Sequence, residues 1–189
     1  MLRAIDVALL RLLRTRGHWP PFERAVVRFS RLGEHSAIWF AVGAIGLAFH
    51  ARRRPVYVRL IGTLIAVEVT NALIKLAVRR RRPILDGLPA LARTRSQRSW
   101  PSAHSSSSFA AARVLSQAVP AAPVYAAAFA MALSRPYLGV HYPSDVLAGM
   151  LLGTVIAESI ARSSSKPEKD HWEADFEAPP NPRETVRGF

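Results

Sequence analysis

Long runs without charge alternate along this chain with short segments crowded with arginine. His35 to Ala51 holds no Asp, Glu, Lys or Arg, Leu60 to Ile74 holds only Glu68, Ser99 to Ala112 and Val114 to Ser134 hold none, and Val146 to Ala161 holds only Glu158. Helices in water rarely run so far without charge, and about 20 residues cover the ~30 Å hydrocarbon core of a bilayer. The pattern therefore predicts an all-α, multi-span membrane bundle with about five spans, near 36–52, 56–78, 104–120, 122–138 and 144–163, in preference to a soluble bundle.

The first 35 residues follow another pattern. Leu2, Ile5, Leu9, Leu12 and Leu13 share one helical face, with Arg3, Arg11, Arg14 and Arg16 around the rest, and Trp19-Pro20-Pro21 ends the run. Phe22 to Leu32 repeats the style with Val26, Val27 and Phe29. Such segments suit helices lying in the interface with arginines toward the headgroups. Arg11 interrupts the apolar stretch, so no cleavable signal peptide is expected. The chain then divides into interfacial amphipathic helices (1–35), a membrane-embedded domain (36–162) and a polar tail (163–189). The tail has six acids, four bases and four prolines and reads as disordered.

Composition changes the picture in one respect. The 189 residues are half apolar and carry 26 Lys plus Arg against 13 Asp plus Glu, for a net charge of +13. With −2 on the tail, +15 falls on residues 1–162. A charge of this size points to nucleic acid or an anionic surface. Half-apolar composition excludes a disordered polycation, and the arginines fall at span boundaries, so the expected partner is the bilayer and not nucleic acid. The chain has no cysteine, which excludes disulfides, thiolate metal sites and cysteine nucleophiles.

Candidate chemistry gathers at the ends of the spans. Lys75 and Arg82 lie two helical turns apart, so both can project from one face before Pro83 stops the helix. Arg79 to Arg82 would otherwise read as a solvated flank at a membrane boundary. Trp100-Pro101-Ser102-Ala103-His104 begins the third span, with Ser102 as N-cap and the free N–H groups of Ala103 and His104 forming a ready anion site. Ser134-Arg135 precedes His141 in a loop, and Asp145 follows four residues later at the start of the last helix. Carboxylate plus imidazole fixes a His tautomer and supports it as nucleophile or base.

Lys75 with Arg82-Pro83, then Pro101-Ser102-Ala103-His104, then Ser134-Arg135 with His141 and Asp145, resemble in order and spacing the tripartite signature of the type 2 phosphatidic acid phosphatase superfamily. Ala103 stands where that family usually has Gly, which bears on substrate size more than on activity. The resemblance implies a membrane phosphatase acting on a lipid-linked phosphate, either phosphatidic acid-like or a polyprenyl phosphate or diphosphate derivative, through a phosphohistidine intermediate. It implies His141 as nucleophile, Asp145 as its support and His104 as general acid and base. Lys75, Arg82, Ser102, Ala103 and Arg135 would bind phosphate. No metal and no cofactor are expected. A haloperoxidase-like enzyme with vanadate in the same pocket, and a non-catalytic basic membrane protein binding anionic lipid, are the alternatives.

Some charges fall outside the signature. Glu68 and Arg113 lie at similar depth, about 10 and 13 Å below the site end of their helices, which favours a buried pair over a water-filled crevice for the headgroup. Glu158 is expected to snorkel, and Glu34-His35 to cap the interface. The resemblance implies an active site facing away from the cytoplasm. The larger arginine count on the site side opposes this by the positive-inside rule.

Overall fold

Seven α-helices and no strand make up the described residues, 2–94 and 96–164, of a computed structural model. They are α1 (Leu2–Thr15), α2 (Pro20–Leu32), α3 (Ala37–Phe49), α4 (Arg54–Val78), α5 (Ala103–Leu115), α6 (Ala121–Tyr137) and α7 (Pro143–Ser164). The all-α expectation holds. Of the tail expected at 163–189, the first two residues continue α7 and the rest lie outside the described residues. Proline in the first turn starts α2 and α4, and Pro143 opens α7, positions where its missing N–H costs nothing.

The bundle is built around α5. Its sequence, AHSSSSFAAARVL, is small enough for neighbours to approach closely, and ten of its thirteen residues are buried. α7 supplies the closest approach through Gly149 and Gly153, one turn apart. A Cβ on Gly153 would lie 1.9 Å from the Ser106 carbonyl oxygen, so only glycine permits this backbone contact. On the other side, Trp39, Tyr57, Leu60, Leu64 and Val67 of α3 and α4 pack against Ala110, Ala111 and Val114. Trp39 Nε1 donates to Ser108 Oγ at 2.9 Å, satisfying a buried indole. The outer faces remain apolar. Ile65, Val69, Leu73 and Leu76 of α4, and Leu147, Leu151 and Val155 of α7, are each more than half exposed, as expected where lipid is the solvent.

The span count differs from the expected five. The helical stretches Ala51–Val78 and Pro143–Ser163 are long and apolar enough to cross a membrane, and α2 with α3, joined at a 55° bend, form a third crossing if the bent pair counts as one. α3 and α5 have 13 residues and α6 has 17, or about 20–26 Å against a ~30 Å core. An uncharged run need not be one helix: Ser102 caps α5, Pro120 precedes α6, and left-handed His35 and Ser36 set α3 off from α2. α5 lacks charge along most of its length because protein, not lipid, surrounds it.

Candidate active site

The three motif segments arrive at one end of the bundle from different directions. Lys75 lies in the last turn of α4, Ala103 and His104 open α5, Arg135 lies in the last turn of α6, and His141 sits in the loop before α7. Together with Arg82 they line a cavity of about 400 Å³, with Gly33, Glu34, His35, Glu68, Arg93, Thr94 and Ser96 completing its wall. Gly33 matters because a Cβ there would come within 2.7 Å of the His104 ring.

Arg82 reaches this cavity by a route different from the one expected. α4 ends at Val78, and Arg79 takes a left-handed C-cap conformation (φ 52°). Arg82 is therefore not on the helical face of Lys75. Segment 80–82 instead runs antiparallel to 97–99, with Arg82 N donating to the Gln97 carbonyl at 3.1 Å and Ser99 N to the Arg80 carbonyl at 2.8 Å. Pro83 disfavours helical geometry at Arg82, and the opposite segment supplies the hydrogen bonds the helix would have given. Arg79 itself is exposed, its Nε donating to the Leu76 carbonyl.

His141 is 1% exposed and Asp145 fully buried. Arg82 Nη1 donates to His141 Nε2 at 2.9 Å and to the Val140 carbonyl at 2.7 Å. A guanidinium only donates, so Nε2 carries the lone pair and Nδ1 the proton. Nδ1 lies 3.5 Å from Asp145 Oδ2 and has no hydrogen bond in this state. Burial first, then the charges of Arg82, Arg135 and Lys75, hold the His141 imidazole well below the usual histidine range. Asp145 is itself fixed by the Tyr142 N–H at 2.9 Å and by Arg80 at 2.7 Å.

His104 Nε2 donates to the Ser30 carbonyl at 3.1 Å, which leaves Nδ1 able to exchange a proton. Burial, then Arg135 and the other cations, push this ring down to about 3 in the absence of an anion. Arg135 is 6% exposed, donates to the Ser30 hydroxyl, and has an Nε without a partner. Three motif cations, Lys75, Arg82 and Arg135, thus line the cavity beside Arg93 and the Glu34 and Glu68 carboxylates, and the excess of positive charge favours an anion.

Other expectations fare differently. Ser102 is the N-cap, its hydroxyl accepting from Ser105 N and Ser105 Oγ, and it does not line the cavity. The Glu68–Arg113 pair does not form. Arg113 instead binds Glu158, which therefore does not snorkel alone, while Glu68 accepts from Ser36 Oγ at 2.5 Å and lines the cavity. Arg113 does not line the cavity, and α7, which the glycines bring close to α5, carries the carboxylate that takes it. Glu34 and His35 line the cavity too, where an interfacial cap was expected. Arg80 and Asp6 were missed by sequence reasoning. The available signal was Asp6 as the lone acid in a helix otherwise rich in arginine.

A larger apolar groove of about 500 Å³, walled by Leu13, Phe22, Val26, Phe29, Leu133 and Tyr137 between α1, α2 and α6, offers no set of groups for phosphate chemistry. Its lining includes Ser134, the residue before Arg135 in the chain.

The chain is similar to known proteins in sequence and in fold. Residues 56–168 match the model of the PAP2 superfamily. The chain is 40% identical over 128 residues, 67% of its length and 72% of the relative's, to a decaprenylphosphoryl-5-phosphoribose phosphatase of Mycobacterium tuberculosis. It is 44% identical over 123 residues, 64% of its length and 67% of the relative's, to the Mycolicibacterium smegmatis protein of the same name. Among solved structures it resembles Aquifex aeolicus LpxE (TM-score 0.74, 26% identity, 84% of this chain and 95% of that one). The fold is also that of a PAP2-type phosphatidylglycerolphosphate phosphatase from Bacillus subtilis (TM-score 0.73, 23% identity, 89% of each chain).

Proposed function

The chain belongs to the PAP2 superfamily, and from that premise we propose that this membrane lipid phosphatase removes the terminal phosphate of a polyprenyl-linked sugar phosphate. The observation that carries the reading is the convergence of Lys75, Arg82, Arg135, His104 and His141 on one buried cavity. The sugar phosphate in the name of the mycobacterial relatives supports the substrate class. The apolar groove beside Arg135 gives the lipid chain a place next to the phosphate.

The chain's own groups supply each step. The phosphomonoester enters among the three cations and satisfies Arg135 Nε, and Arg82 turns from His141 Nε2 to a phosphoryl oxygen. The freed lone pair of Nε2 attacks phosphorus, and the P–O bond to the sugar breaks. His104 relays to the leaving oxygen the proton that the phosphate monoanion brings, then takes a proton from water as water attacks the phosphohistidine and inorganic phosphate departs. Lys75, Arg82, Arg135 and the α5 N-terminus at Ala103 stabilise the charge on the transferring group. Asp145 stabilises the cationic imidazole by closing the remaining distance to Nδ1. Ser102 contributes by capping α5 and so fixing His104.

We place the site on the extracytoplasmic side. Arg14, Arg80, Arg82 and Arg135 are held by internal hydrogen bonds, so they do not act as free topological signals. Exposed Arg52, Arg53 and Arg54 lie at the opposite end of α4, but exposed Arg3, Arg11, Arg24, Arg28, Arg31, Arg79 and Arg81 on the site side still outnumber them, so the placement rests on the resemblance to the family.

The deciding experiment is phosphate release by purified protein in detergent from a polyprenyl-linked sugar phosphate, phosphatidic acid, phosphatidylglycerol phosphate and polyprenyl diphosphate, with the His141→Ala variant as blank. The expected result is highest kcat/KM on the polyprenyl-linked sugar phosphate. Preference for any of the others rejects the substrate class, and release equal to the blank on all of them rejects the reading.

A further inference from the structure

The strongest unassigned cluster lies behind the catalytic histidine, where α1 meets the loop after α4 and the start of α7. Asp6 is 5% exposed. One of its carboxylate oxygens accepts from Arg80 Nη2 at 2.7 Å and from the Ser144 hydroxyl, and the other accepts from Ser144 N at 2.9 Å. Arg80 Nη1 reaches on to Asp145 Oδ1 at 2.7 Å and to Ser144 Oγ at 2.7 Å. The guanidinium also lies over the Tyr142 ring, 4.2 Å from its centre. A half-buried arginine thus bridges two carboxylates, one beside His141 and one on a helix 139 residues earlier in the chain.

We propose that Asp6 is a positioning residue for the phosphatase reaction, acting through Arg80 and Ser144 to hold Asp145 at the distance and orientation that His141 requires. The inference rests on the functional reading above and concerns the same site. The physical argument is one of competition. With Asp6 present, Arg80 divides its two terminal nitrogens between two carboxylates, and Asp145 keeps Oδ2 for the Tyr142 N–H and the nearby His141 Nδ1. Without it, Arg80 is free to bind Asp145 with both nitrogens in the bidentate geometry that guanidinium and carboxylate favour. Oδ2 would then be drawn away from an imidazole already 3.5 Å distant. Ser144, next to Asp145, loses two bonds at once. None of these groups lines the cavity, so substrate binding is left intact.

α1 has other anchors that keep it docked when Asp6 is changed. Leu10 is fully buried against Leu85 and Tyr142, and Arg14 donates to the Pro89 carbonyl at 2.8 Å.

The test compares the full-length wild type, Asp6→Asn, Arg80→Lys and the double variant in detergent, with kcat and KM measured separately and the His141→Ala blank alongside. Arg80→Lys keeps the charge but offers one compact ammonium in place of two separated terminal nitrogens, and it serves if Asp6→Asn fails to fold. The expected result is a fall in kcat of tenfold or more in each single variant, with KM within twofold of wild type. The double variant should be no slower than the slower single, because both changes break one linkage. A kcat within twofold of wild type overturns the proposal, as does a loss carried by KM or losses that multiply in the double variant. If the wild type itself releases no phosphate above the blank, the functional reading has failed, and the inference falls with it.

Discussion

Arg82 donates its Nη1–H to Nε2 of His141 at 2.9 Å, so the nitrogen proposed to attack phosphorus is held by the same cation proposed to bind the phosphate. The resting contact fixes the tautomer: Nε2 keeps its lone pair, and the proton stays on Nδ1 near Asp145. Substrate and nucleophile compete for one guanidinium, and the phosphate wins because it is charged and the ring is neutral.

This relationship separates two neighbouring arginines. Arg82→Ala removes a donor from the transferring phosphoryl group, and kcat should fall by about 10²–10³. Arg79→Ala should leave kcat within about threefold of wild type, because Arg79 is exposed and bonded only to its own helix end. Steady-state kinetics on a single preparation scheme compares them, and equal losses would reject the assignment.

The pH dependence follows from the neutral state of both histidines in the empty cavity. His141 is held well below the usual range and His104 near 3, both by burial first and cationic neighbours second. The reacting complex needs one proton for the leaving group, and the free enzyme holds it on neither ring. The substrate monoanion must bring it, and a phosphate monoester loses that proton at about pH 6. kcat/KM should therefore decline as pH rises above about 6, with no loss on the acid side between about 6 and 5. A profile that drops below pH 6.5 would mean that His141 titrates there and would contradict the arrangement.

Close packing of α5 and α7 makes a separate prediction about stability. Gly153→Ala places a methyl group against the backbone of Ser106, where no side-chain rotation can relieve it. A loss of about 1–3 kcal/mol, or more, is expected. Gly62→Ala, in α4 with nothing within 4 Å of the new Cβ, should be neutral or stabilising by up to about 1 kcal/mol. Thermal unfolding in detergent would compare the pair, and similar shifts would argue against the glycine contact.

Sidedness can be read from single cysteines, since the native chain has none. Asp86 is exposed in the loop near the site, and Arg52 is exposed at the far end of α4. Asp86→Cys should react with a membrane-impermeant maleimide in intact cells, and Arg52→Cys only after permeabilisation. The reverse order would put the site in the cytoplasm.

Local pattern determined a good deal of this protein. Helices lie where the uncharged runs stand, within a few residues, because burial of apolar side chains decides both. The spacing of Lys75, Ser102, His104, Arg135, His141 and Asp145 located one end of the bundle, because cap preferences and proline stops act over a few residues. Lack of charge did not distinguish lipid from protein as the solvent of α5, so the number of spans was misread from the same runs.

Tertiary structure decided the partnerships. Arg82 enters the cavity from an extended segment paired with 97–99, Arg113 takes Glu158 instead of Glu68, and Arg80 joins Asp6 to Asp145. Each choice depends on which carboxylate or carbonyl the docked helices bring within about 3 Å. Periodicity carries information over one or two helical turns, whereas these partners are 15 to 74 residues apart in the chain. Only packing of α1, α5 and α7 sets those distances, and ion pairs and hydrogen bonds fall away too steeply with distance for composition to have chosen among them.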